Sequence, residues 1–569
     1  MFNLFSRKDI SVSVPNYWDI AAGVVIISSL LLLAYSTHHM VERQALQPDD
    51  ISLDRWYLLG YAIRSLFRMV LGILFSLVIT LVIGTLAAKH KFSEMIILPA
   101  IDILQSIPAL GYQQMVGLFL FTSFNGGVIG FEWAAVFVII TAQVWNMILS
   151  FYQSLKTVPK QYYEVAKING LSAWQTFWRI EFPFALPLLS WNMMMSLSAS
   201  WFVVVACEVI EIKKDMVFHL PGLGSYLDKA NGLQDTSAIL ASWFTMFLVI
   251  IVFDQLVFRP LNYMTQTEGK KKKPWVVRLF SNAKWVSKGG KSLVRWCRDH
   301  WLRGRIVVRP RKVPSLPKVR RFMSFVMICI SGFLLIKMFV MLWQLFHDEA
   351  VNDVWQDIPH VLLLGLYSSL RVMIFIGLST LLWLPIGVWI GQRPKVSNWI
   401  QPIIQFLASI PPNFLYPFFV SQIILFQLNP SIWLSPLIVL GCQWYILFNV
   451  IAGTQMLPKN LHQAAKMLKL SGWLKWKKLI LPGLFPSIIT GMMAAAGGAW
   501  NATVVVEVIK YGDQRISAAG LGTYIVEAGD HGLKLTLGVI VMCLYVLLIN
   551  RLVWMPLYRY AEQHFKHEG

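Results

Sequence analysis

Two glutamates end long apolar stretches at matched places in this chain of 569 residues. Glu208 follows Trp201-Phe-Val-Val-Val-Ala206-Cys, and Glu507 follows Trp500-Asn-Ala-Thr-Val-Val-Val506. An ionisable group attached to a membrane-length apolar run is costly to bury, so a functional role is the default expectation. Two roles are open. The carboxylates can form a gate, or each can accept hydrogen bonds from the loop that follows it, which carries Gly222-Leu-Gly224 in one case and Gly520-Leu-Gly522 in the other. Trp201 and Trp500 stand seven residues, about two turns, before the acids and so lie near the same helix face. They line or plug a pathway, or they are core aromatics, the commoner use of such spacing. Pro108 and Pro411 each break an apolar stretch after Ser-Ile. Such a break inside a membrane lines a cavity or packs on protein; a plain kink is the other reading.

Other chemistry is absent from the sequence. The five cysteines (Cys207, Cys297, Cys329, Cys442 and Cys543) have no CxxC spacing and read as packing residues. There is no G-x-x-x-x-G-K-[ST] loop and no His-Glu-x-x-His, hence no visible nucleotide or zinc site.

The elements that must position these residues are membrane helices. Hydrophobic residues make up 56% of the chain and charged residues only 14%, with 24 Trp and 35 Phe. Apolar runs at 20–35, 70–88, 134–149, 322–345 and 533–549 approach the length that crosses about 30 Å of hydrocarbon, which a soluble core does not require. The first run follows about twenty mostly polar residues and precedes no small-residue cleavage pattern, so it is expected to remain as an anchor.

The chain is a tandem duplication. Ser65, Arg68, Gly84, Pro99 and Ser106-Ile-Pro108 recur 303 residues later as Ser368, Arg371, Gly387, Pro402 and Ser409-Ile-Pro411. Beyond a loop of different length, Pro159, Ala166, Pro183, Trp201 and Glu208 recur 299 residues later, and Gly222-Leu-Gly224 recurs 298 later. Each half holds about six apolar segments. Basic residues fall on alternate loops, which predicts twelve helices with both termini inside. An even helix number per half makes the halves parallel repeats about an axis along the membrane normal, with any shared pathway at their interface. The expected domains are 1–260 and 322–569, joined by a basic segment at 261–321.

Between Arg259 and Arg321 there are 19 Lys or Arg against Glu268 and Asp299, so most of the net charge of +21 resides there. Basic runs can neutralise nucleic-acid phosphates. A segment placed between two helix sets reads more simply as a cytoplasmic linker lying on anionic headgroups, so lipid rather than nucleic acid is the expected partner. Its Trp275, Trp285, Trp296 and Trp301 suit an interfacial segment.

Residues 157–183 interrupt the helices with a polar insert. Pro159 suits a helix start, Gly170 a left-handed cap, and Ser172 with Gln175 a capping box for a second short helix, which Pro183 follows. A helical hairpin results. Its Glu164, Ala166, Gly170, Ile180 and Pro183 resemble the coupling motif of ABC importer permeases: Glu-Ala-Ala, three residues, Gly, nine residues, Ile, any residue, Leu-Pro. Val165 and Phe182 depart from it conservatively. The second half, at 456–482, keeps the frame in Gln463-Ala-Ala465, Ile480 and Leu481-Pro482, but has Gln463 for Glu and Lys469 for Gly. A Lys in a left-handed cap costs about 1 to 2 kcal/mol, and Gln463 loses a charge, so the two hairpins are expected to couple unequally.

The stretches from Trp201 to Gly224 and from Trp500 to Gly522 look like the fifth helix and following loop of the nitrate, sulfonate, taurine and bicarbonate permease group. The resemblance implies an all-α membrane protein: two parallel six-helix repeats of the type I ABC importer permease fold, fused in one chain, in a bacterial inner membrane. It further implies two partner ATPase domains that bind ATP and Mg and dock on Glu164, Ala166, Gly170, Gln463, Ala465 and Lys469. An extracytoplasmic binding protein would deliver a small solute, an anion by analogy, and the chain itself would carry no cofactor and catalyse no reaction. Facing carboxylates would repel an anion, which favours gating or architecture for Glu208 and Glu507. The competing reading is an ion- or proton-coupled secondary transporter of twelve helices, against which the paired hairpins and the scarcity of mid-membrane carboxylates count.

Overall fold

The computed structural model describes residues 51–258 except 106, 125–127 and 214–215, then 260, 278–279 and 350–565 except 458–462, 464–466, 470, 512–513 and 529–530. The expected first helix of each half and nearly all of the basic linker lie outside the described residues. Ala465 and Ser106 lie outside them too.

Eight described helices are long and apolar enough to cross a membrane. In the first half these are α1 (Arg55–Lys89), α4 (Val128–Lys156), α6 (Ala173–Cys207) and α8 (Thr236–Val257). In the second they are α9 (Val354–Gly391), α12 (Pro430–Gln455), α13 (Gly472–Val506) and α15 (Gly532–Ala561). Between the first two of each set stand two shorter helices separated by a break: α2 (Lys91–Leu104) and α3 (Gln113–Ser123), and α10 (Pro394–Ala408) and α11 (Tyr416–Leu425). The second pair bends by 69°.

The breaks are written by proline. Pro108 and Pro411 take extended backbone, each ahead of a short 3-10 turn, Ala109–Tyr112 and Pro412–Phe414. Pro fixes φ and pushes the residue before it out of the helical region, so the run restarts in a new direction.

Small residues set helix spacing. A Cβ on Gly84 of α1 would meet the ring of Phe151 of α4 at 2.8 Å, and one on Gly387 of α9 would meet Val450 of α12 at 2.7 Å. These repeat-related glycines let two backbones approach closely, as helix packing in lipid favours.

Chain contacts divide the described residues into two compact units, one holding 153–191 with the described residues from 252 to 279, and one holding the rest. In the first, α5 (Lys160–Ile168) leads to Gly170 at φ +63°, then to Ser172, whose hydroxyl and Gln175 form the expected capping box. The helix beginning at Ala173 does not end near Pro183. It widens to a π turn at Phe177–Glu181 and continues as α6 to Cys207. The wider turn accommodates a proline that cannot donate and whose ring would crowd a normal turn. The second half repeats the device at Trp476–Ile480, before Pro482.

Two short antiparallel hairpins are added to this helical frame. β1 (Val209–Lys213) pairs with β2 (Met216–His219), and β3 (Val508–Tyr511) with β4 (Gln514–Ser517). Each follows the acid that ends a long helix and leads to a short helix, α7 (Leu223–Gly232) or α14 (Leu521–Glu527).

Candidate functional site

Glu208 and Glu507 are buried, at 0% and 1% exposure. Glu208 accepts from Ser65 Oγ at 2.5 Å, Arg68 Nη1 at 2.7 Å and the backbone N–H of Gly224 at 2.6 Å. Glu507 accepts from Ser368 Oγ and Arg371 Nη1, both at 2.7 Å, and from the N–H of Gly522 at 2.6 Å. The same serines accept the N–H groups of Leu223 and Leu521 at 2.9 Å. Each acid therefore ties the first described helix of its half to the start of the short helix after its β-hairpin. Charge-assisted bonds of this kind are about twice as strong as neutral ones.

The glycines of the Gly-Leu-Gly motifs are demanded by room. Gly222 and Gly520 are fully extended, at φ −173° and −178°, which any residue adopts. A Cβ on either, however, would lie 2.2 Å from the carboxylate of Glu208 or Glu507.

The two clusters differ in charge. Arg68 also grips Glu132 of α4 through Nε at 2.6 Å and Nη2 at 2.7 Å, and gives a further bond to Pro221 O. Arg371 pairs with Glu507 and Ala519 O and is half-buried. Position 431, which corresponds to Glu132, is a serine.

A second feature is a cavity of about 310 Å³ lined by residues of both halves. Both halves contribute equivalent positions: Ala109 and Pro412 beside the two breaks, Trp145 and Trp444 from α4 and α12, Phe202 and Asn501 from α6 and α13. Among the described residues, no Asp, Glu, Lys, Arg or His lines it. Asn501 also joins the halves, since its Oδ1 accepts the N–H of Leu110 at 3.1 Å, just past the break at Pro108.

The candidates thus separate into three groups. Trp500 borders the cavity and Pro108 and Pro411 are buried beside it, whereas Trp201 is buried away from its lining and neither Glu208 nor Glu507 reaches it. On the first hairpin Glu164 and Gly170 are exposed and Ala166 is buried. On the second, Gln463 and Lys469 are exposed. Lys469 has φ +50°, so the left-handed cap persists without glycine. Sequence reasoning missed Arg68, Arg371, Ser65 and Ser368 as site residues although they were repeat anchors. Their signal was a charge kept in both copies of an apolar helix. It also missed Glu132 and Asn501, whose equivalent positions hold different residues, Ser431 and Phe202.

Comparison with known proteins decides the family. A model described as binding-protein-dependent transport system inner membrane component matches twice, at residues 55–262 and 383–566. The chain belongs to that family. The two matches coincide with the two repeats, and this inner membrane component family consists of multi-pass permeases of ABC transport systems, so two permease domains are fused here. The chain is similar to the bicarbonate transport system permease protein CmpB of Synechocystis sp., 27% identical over 32% of this chain and 60% of the relative. It is also similar to the nitrate import permease protein NrtB of Leptolyngbya laminosa, 29% identical over 33% of this chain and 64% of the relative. The taurine transport system permease protein TauC of Escherichia coli is 28% identical over 29% of this chain and 56% of its own length. The chain therefore spans less than two thirds of the length of each of these three relatives.

Proposed function

We propose that the chain forms the whole translocation pathway of an ATP-driven importer, one permease domain at 1–260 and the other at 322–569. A partner ATPase domain docks on each hairpin and binds the ATP and Mg. Its closing rocks one half against the other, so that the cavity lined by both halves opens alternately to each side. The hairpins, the linker at 261–321 and both termini face the cytoplasm, and a binding protein presents the solute on the opposite face. On that face the clusters around Glu208 and Glu507 hold the β-hairpins and the short helices to the membrane helices. This is an architectural role that keeps the carboxylates away from the solute.

The observation that carries this reading is the pair of repeat-related left-handed caps, at Gly170 and Lys469, each followed by the start of a long helix whose first turn exposes a tryptophan. Around them Ile168, Trp174, Met467 and Trp473 expose 85%, 48%, 84% and 73% of their surfaces. Large apolar groups presented on polar hairpins suit a protein partner. The two docks are unequal, since the first offers Glu164 and the second Gln463 with Lys469.

The test is affinity purification of the tagged protein from its native membrane. An ATPase is expected to co-purify with the wild type and to be lost in Glu164→Lys with Gly170→Pro. Failure to recover any ATPase after crosslinking would return the secondary transporter to first place.

A further inference from the structure

We propose that the two hairpins take ATPase domains of different sequence, and that the domain on the second hairpin presents an acidic groove. The inference rests on the importer reading and deepens it by giving each hairpin its own partner.

The duplication has diverged in charge at the hairpins. Residues 157–183 carry three basic and two acidic side chains, whereas 456–482 carry six basic side chains and no acidic one. Glu164 corresponds to Gln463, Gly170 to Lys469, and Thr176 and Trp178 to Lys475 and Lys477. In the first hairpin Glu181 is buried and accepts a bond from Tyr163 Oη at 3.3 Å, so Glu164 is the acid on its surface. In the second, Ile480 is buried in the place of Glu181, while Lys469, Lys477 and Lys478 are exposed.

The apolar surface differs as well. Asn169, just before the first cap, turns its Nδ2 back to Val165 O at 2.8 Å. Its counterpart Leu468 exposes 71% of its surface. Gln175 closes the capping box on Ser172, whereas Leu474 stands in its place half-exposed and Ser471 makes no side-chain cap. The second hairpin thus offers Met467, Leu468, Trp473 and Leu474 with lysines beside them in the chain, an apolar patch with a basic rim.

A groove shaped for one hairpin opposes the other. A cationic group placed against Glu164 favours the first hairpin and meets Lys469 and Lys477 as a like charge; an acidic rim does the reverse. Such pairing selects one partner and suppresses the wrong one. Lipid headgroups do not account for the difference. Both hairpins face the cytoplasm on the importer reading, so the bias of inner loops toward basic residues acts on them alike. The helix that leaves each hairpin, α6 or α13, also runs 35 residues. At about 1.5 Å per residue that is about 52 Å, longer than the roughly 40 to 45 Å of a bilayer with its headgroups. Its first turns therefore reach past the lipid, where a protein partner meets them.

The test is photocrosslinking of the full-length chain in its native membrane, with benzoylphenylalanine placed at Asn169 or, in a second strain, at Leu468. After irradiation the tagged protein is purified under denaturing conditions, and peptide mass spectrometry identifies what each position has captured. ATPase peptides are expected from both positions, of two different sequences, with acidic residues flanking the site reached from 468. Lys469→Glu with Lys477→Glu should lower the 468 adduct about 10-fold and leave the 169 adduct unchanged, and Glu164→Lys should do the reverse. The adduct at the untouched hairpin reports in each case that the variant has folded. One ATPase sequence captured in similar yield at both positions overturns the inference and leaves the importer reading standing. So does an ATPase at 169 with only lipid at 468. Capture of no ATPase at either position overturns both.

Discussion

The carboxylate of Glu208 occupies the space where any residue other than glycine at position 222 would place its Cβ, 2.2 Å away. Glu507 stands in the same relation to Gly520. Gly222→Ala and Gly520→Ala are therefore expected to displace a buried, arginine-paired carboxylate and to destabilise the protein by about 3 kcal/mol or more, through overpacking and a weakened ion pair together. Thermal unfolding in detergent checks this. Gly232→Ala, where a Cβ meets nothing within 4 Å, should leave the unfolding temperature unchanged.

Removing the two arginines should have unequal effects. Arg68→Met leaves both Glu132 and Glu208 without their buried partner, a loss of about 3 to 5 kcal/mol. Arg371→Met strands one carboxylate, and its half-buried site admits water, so the expected loss is smaller. A double-variant cycle of Arg68→Met with Glu208→Gln should show a coupling of about 0.5 to 3 kcal/mol. Additive losses would mean that the 2.7 Å contact carries no energy of its own.

At the hairpins, the backbone alone decides. A Cβ at Gly170 meets nothing within 4 Å, so Gly170→Ala costs only the left-handed conformation, about 1 to 2 kcal/mol of hairpin stability. Lys469→Gly should do the reverse and raise the stability of the second hairpin by a similar amount. Limited proteolysis of the hairpins, compared with ATPase recovery, measures both changes.

The bond from Leu110 to Asn501 joins the halves, and Asn501→Ala leaves that N–H unpaired, at an expected cost of about 1 to 3 kcal/mol. Asn501→Asp keeps an acceptor and should recover most of the loss. Equal unfolding temperatures for both variants and the wild type would show that water replaces the side chain.

Much of the fold was legible because it depends on local rules. Hydropathy marked the spans, Pro108 and Pro411 marked the breaks, and Ser172 with Gln175 marked a helix start that the structure contains. The misreading at Pro183 has a local cause as well. A proline near a helix start can be absorbed by a π turn, and hydropathy carries no mark of that turn. The β-hairpins were missed because strands of four or five residues beside a long apolar helix leave little alternation to read.

The sequence by itself determined the duplication, the helices and their breaks, the hairpin caps, and which polar residues both halves keep. All of these follow from bonding and sterics among residues close together in the chain, or from comparing one half with the other. Only the tertiary structure decided that Ser65, Arg68, Glu208 and Gly222 form one cluster, that Glu132 joins it on one side alone, and that Trp500 borders the cavity while Trp201 does not. Those relations join residues up to 158 positions apart, and helix packing, which sets them, depends on how whole surfaces fit together.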